Sequence, residues 1–308
     1  MKKMNIALFT AAAMIGSTAA IADEHVDGPN LSGRIQTIFE DADENTDDSL
    51  NMNNWHIAAS GSATDLLGGI DASYYSRLSN YGGNGGAAGD PYVEYGFVTF
   101  SFPGADITAG RTDDLHYQFA DSQVFALQPR NFDGIGGADF NTVDSLTVTS
   151  DLGGSPVTVG GYVNTRNGAG VEDTQFAISA DIGVGTLAAV YSDSDTDTVR
   201  TERLTVAGTV DLDVATLTAR VEDRDDDQAS NGDMPYTIAA GIPVADSTTL
   251  YVMHGSDDGA NGDDDSSTGV EARTLLGAGL DVFVGMTNGE NSDGTSADNV
   301  YVGSRWQF

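Results

Sequence analysis

Short alternating runs of apolar and polar residues fill this chain. In 202–211, Leu204, Val206, Gly208 and Val210 alternate with Arg203, Thr205, Ala207, Thr209 and Asp211. In 214–223, Ala215, Leu217, Ala219 and Val221 alternate with Thr216, Thr218, Arg220 and Glu222. A period of two places one set of side chains on each face of a β-strand. Sixteen such runs are read, near 31–40, 51–60, 68–78, 93–102, 105–112, 142–151, 156–164, 173–182, 184–193, 202–211, 214–223, 234–243, 246–255, 268–277, 279–287 and 299–308. Runs 93–102 and 184–193 alternate less cleanly, and their faces are not assigned.

The connections alternate too. Short links such as 103–104 and 182–185 take turns with longer polar ones such as 82–90 and 257–265. An antiparallel up-and-down sheet sorts its links this way, with tight turns at one end and long loops at the other. A Greek-key sandwich does not. Strands of about ten residues, even in number, match the length a tilted strand needs to cross a bilayer. The pattern predicts an all-β, transmembrane, antiparallel barrel of sixteen strands. Arg34, Arg77, Arg203, Arg220, Arg273 and Arg305 are read as lining an aqueous interior, because lipid exposure of an arginine at midplane costs about 2–4 kcal/mol. The competing reading is a secreted acidic β-sandwich or adhesin, which explains neither the sorted links nor the aromatic carboxyl end.

Residues 1–22 read as a signal peptide, with Lys2 and Lys3, a short apolar stretch and Ala20-Ile21-Ala22 before the cut; residues 23–308 form the barrel domain. Both lysines fall in that leader, so the rest sets eleven arginines against 47 acids. Such an excess repels phosphates and excludes nucleic acid as a partner. The absence of cysteine removes disulfides and thiolate chemistry.

The end of the chain, VYVGSRWQF, LSGRIQTIFE near its start and YVEYGFVTFSFPGADITAGRTDD in between together resemble the trimeric general porins of Gram-negative outer membranes. The resemblance implies an outer-membrane homotrimer that contacts lipid and lipopolysaccharide and conducts small hydrophilic solutes. It also implies that Trp306 and Phe308 form a signal read by the barrel-assembly machinery. The long segment 113–141 then corresponds to a third loop folded into the lumen. By the Gly-Arg motif of the family, Arg111 is a constriction arginine, joined by Arg34 and Arg77. Asp113, Asp114, Asp121 and Asp133 are the loop acids available to face such arginines. The family's loop often carries an acid after its proline, whereas here Pro129 is followed by Arg130. Carboxylate excess favours cations at the pore mouth. A substrate-specific porin, or a structural barrel with a plugged lumen, remains the alternative.

Other motifs carry less. DSDTD at 193–197 has the start of a calcium loop but Leu204 where its final acid belongs. No cofactor is expected beyond divalent cations such as calcium held loosely by the acidic loops. GGNGG at 82–86 lies far from any helix and reads as a loop, not a phosphate cradle. His25, His56, His116 and His254 lack metal-ligand spacing. His116 and Ser122 share a loop, too little to suggest a hydrolase.

Overall fold

The computed structural model describes residues 26–42, 49–66, 68–81, 92–123, 142–165, 172–195, 200–226, 234–258, 264–290 and 296–308. The leader read over 1–22, together with Arg130 and Asp133, lies outside them. Sixteen antiparallel strands close into one barrel, each paired with its neighbours in chain order, and β1 (Val26–Ala42) meets β16 (Ser296–Gln307). No helix among the described residues is long and apolar enough to cross a membrane.

The seam takes Phe308 into the barrel's ladder. Gly33 N–H donates to the Phe308 carbonyl at 2.8 Å, and Phe308 N–H donates to the Gly33 carbonyl at 3.0 Å. The last residue is thus part of the ladder that removes the sheet's edges. Its side chain joins Val300, Val302 and Trp306 on the exposed outer face, whereas Tyr301 points inward and is buried. Arg305 shares Tyr301's parity and pairs with the partly buried Asp281 at 2.7 Å.

Inside β14–β16, two rings lie across neighbouring strands that offer glycine. β14, β15 and β16 span Asp264–Gly277, Leu280–Glu290 and Ser296–Gln307. A Cβ on Gly285 would meet the Tyr301 ring, and one on Gly303 would meet the Phe283 ring. Phe283, Tyr301 and Ile38 form a buried apolar cluster there.

The strands run further than the hydrophobic pattern does. β13 (Thr248–Asp258) and β14 stay in register to Asp257 opposite Asp265 and Asp258 opposite Asp264, within a stretch expected to be loop. Beyond the lipid belt both faces meet water, so period-two alternation fades while backbone pairing continues. The two ambiguous runs also resolve. β4 (Tyr92–Phe102) carries a register shift at Arg77/Leu78, then puts Val98, Phe100 and Phe102 outward and Tyr95 inward. β9 (Gly185–Asp195) puts Leu187 and Tyr191 outward and buries Ala188 and Val190 inward.

Candidate pore lining and the inward loop

Among the described residues, most of the paired inward-facing charges fall into three groups. The first lies on β3 (Asp71–Tyr81) and β4. Arg77 grips Glu94 with two nitrogens, Nε to Oε2 and Nη2 to Oε1, each at 2.6 Å, and its guanidinium lies 4.2 Å from the centre of the Tyr95 ring. Ser79 donates to the same carboxylate. Arg34 stands opposite His56, and His56 opposite Ser79, so Arg34 and Arg77 do share one region of wall. Arg111, on β5 (Ala105–Asp113), falls in register with Gly96 and Asp144, which share the parity of the outward Val98 and Leu146, so the register does not bring it into the wall of Arg34 and Arg77. Among the described residues its buried Nε lacks a hydrogen-bond partner. Asp113, expected in the loop, ends β5 instead and accepts a hydrogen bond from Tyr95 Oη at 2.6 Å.

The second group is where the loop lands. After β5 the chain makes a short π-helical turn, His116–Ala120, and a 3-10 turn, Asp121–Gln123. Asp114 accepts from the Tyr117 N–H at 2.9 Å, satisfying one donor that a helix start leaves open. The side chain of Gln175 then fixes the entry: its Oε1 accepts the Leu115 N–H at 2.7 Å, and its Nε2 donates to Asp114 at 3.2 Å. Leu115, Phe119 and Ala120 pack on Tyr162, Ala177, Ala188, Val190 and Ala207, an apolar cluster across β7 (Val157–Thr165), β8 (Glu172–Asp181), β9 and β10 (Arg200–Leu212). Gly160 makes this close approach possible, because a Cβ there would crowd Phe119 and Leu115 at 3.1–3.2 Å.

Beyond that cluster, Asp121 forms an ion pair with Arg220 at 2.5 Å, on β11 (Ala215–Asp226). Arg220 also holds Glu222 at 2.5 Å, and Glu222 receives Arg224 at 2.7 Å and Arg203 at 3.3 Å. Thr205 donates its only hydroxyl proton to Glu222 at 3.1 Å. Its oxygen is therefore the acceptor for His116 Nδ1 at 3.0 Å, which leaves Nε2 to accept from Ser192 at 2.9 Å. Burial, helped by the Arg203 charge, lowers the His116 pKa to about 3, so the imidazole is neutral at ordinary pH. The third group, on β14–β16, holds Arg273 with Glu271 at 2.6 Å and Arg305 with Asp281.

Sequence reasoning found the arginines but missed their partners: Glu94, Glu222, Glu271 and Asp281, as well as Arg224 and the anchor Gln175. The clue available was parity, since Glu222 and Glu271 share the polar face with the arginines. The loop acid Asp121 meets Arg220, not the Arg34, Arg77 and Arg111 set.

A family profile described as Gram-negative porin matches residues 9–294. The chain belongs to the Gram-negative porin family. It is an outer-membrane protein, as its fold and family require. No curated protein matches it in sequence. Among solved structures, OmpF of Salmonella typhi in complex with daunomycin aligns at TM-score 0.74 and 14% identity, over 91% of this chain and 97% of that one. The anion-selective porin from Comamonas acidovorans gives 0.71 at 16% identity, covering 92% and 99%. OmpT of Vibrio cholerae in its trimer form gives 0.71 at 14%, covering 92% and 99%. At such identities the likeness is one of fold.

Proposed function

We propose that this porin is a homotrimeric channel for passive diffusion of small hydrophilic solutes and ions, that it favours cations, and that it is not an enzyme. The observation that carries the charge preference is the pairing of the wall. Arg77, Arg203, Arg220, Arg224, Arg273 and Arg305 each lie against a carboxylate, so the positive charge of the wall is offset locally. The chain's net charge of −34 then biases the mouth toward cations. The third loop narrows the lumen from the β7–β11 side, because its first residues are anchored there. Trp306 and Phe308 end the closing strand and serve as the signal for the assembly machinery. Lipid and lipopolysaccharide surround the outer face, and the acidic loops hold divalent cations loosely.

The test is reconstitution in a planar bilayer under a KCl gradient. Conductance steps in threes with a cation-selective reversal potential are expected. Anion selectivity, the property named for the Comamonas acidovorans porin, would mean that the wall arginines govern transport. Folded, heat-modifiable protein without conductance would favour the plugged structural barrel.

A further inference from the structure

The inner wall of β3–β5 carries an aromatic surface that nothing among the described residues covers as the loop covers β7–β10. Tyr75 and Phe97 are directly paired across β3 and β4 and therefore share the inner face with Arg77 and Tyr95. Their ring centres are 5.7 Å apart with planes tilted by 32°. Other inward aromatics of the described strands are covered: Tyr162, Phe283 and Tyr301 are buried, and Tyr95 and Tyr251 lie beneath Arg77 and Arg273. Tyr75 and Phe97 stay partly exposed. Past their mutual stacking, these two rings keep an apolar face turned to a polar lumen, the kind of feature that marks a binding site.

The neighbours define what fits. In the same rung, Ser60 flanks Tyr75 and Gly110 flanks Phe97, so both ends of the pair are bordered by small residues. One rung toward the tight turns lie Ser62, Ser73, Thr99 and Thr108, with the two threonine hydroxyls bonded at 2.8 Å. One rung toward the loops lie Arg77 and Tyr95, with the Glu94 and Asp113 carboxylates they hold. An aromatic platform between a hydroxyl rung and a charged rung suits a ring with one apolar C–H face and a rim of hydroxyls. The Arg77 guanidinium beside the platform disfavours a cation, and the two carboxylates disfavour an anion.

We infer that Tyr75 and Phe97 form a stacking subsite for neutral, hydroxylated rings, the chemistry of saccharides, on the wall of this channel. The inference deepens the channel reading and rests on it. A solute pausing there interrupts the ionic current. The experiment is single-channel recording with maltotriose as the ring probe and sorbitol, an open-chain polyol, as the control. Maltotriose should reduce the current saturably, and sorbitol should only lower it in proportion to solution conductivity. Phe97→Ser should weaken the maltotriose effect at least tenfold, read as the fraction of each variant's own open-channel current that is blocked, and Phe97→Tyr should retain it. Heat-modifiable migration of each variant checks that the barrel is folded. Equal block of wild type and Phe97→Ser, or no difference between the probes, would overturn the subsite and leave the channel standing. Absence of conductance in the wild type would overturn both.

Discussion

Two parts of the barrel's inner wall solve the same problem in opposite ways. On β7–β10 the inward residues include Ala177, Ala188, Val190 and Ala207, small and apolar, and the loop residues Leu115, Phe119 and Ala120 cover them. On β3–β4 the inward residues are large and mixed, with Tyr75 and Phe97 partly exposed next to the Arg77–Glu94 pair. The first wall behaves like a protein core and fixes the position of the loop. The second keeps apolar and polar groups in view of the lumen, where a solute can meet them. An apolar residue on an inner face thus has two meanings, and burial separates them.

The contrast can be broken most forcefully at the buried charges. Arg220→Ala strands Asp121, 6% exposed, without its ion-pair partner, while Glu222 keeps Arg203 and Arg224. Losing one member of a buried pair costs about 3–5 kcal/mol, enough to release the loop. The expected outcome is a higher, noisier conductance and new protease sensitivity near residue 121. Leu115→Ala, at a fully buried position, removes apolar contact from the same anchor at a cost of about 2–5 kcal/mol and should give a milder form of that phenotype.

Acid provides a graded version. The folded loop holds His116 neutral, with its pKa lowered from 6.5 to about 3. A released loop lets that imidazole bind a proton, so this contribution is complete above pH 6.5 and is lost as pH falls from 6.5 toward 3. The loss amounts to at most about 1.4 kcal/mol per pH unit. Open-channel noise should rise over this interval in wild type, and His116→Gln should flatten the contribution. On the open wall the effect on stability is smallest. Phe97→Leu keeps an apolar side chain and should cost less than about 1.5 kcal/mol by urea unfolding.

The same contrast explains what the sequence disclosed. A wall that faces water on one side and lipid on the other writes a clear period of two, and sixteen strands were legible from it. β9 was hard to read because Ala188 and Val190 face the loop rather than water. β4 was hard to read because a register shift near Arg77 coincides with inward aromatics. Arginines announced themselves because lipid forbids them. Their carboxylate partners did not, since Arg77 finds Glu94 and Asp121 finds Arg220 through strand register and loop path, which local pattern does not encode.

The chain has no cysteine, so a single introduced thiol reports its own surroundings. Ala188→Cys on the covered wall and Tyr75→Cys on the open wall should be compared in reconstituted channels exposed to a water-soluble thiol reagent. Tyr75→Cys should react promptly and lower the conductance, while Ala188→Cys stays protected until Arg220→Ala frees the loop. Equal, rapid reaction at both positions would contradict the division of the wall into a loop-bearing side and a solute-facing side.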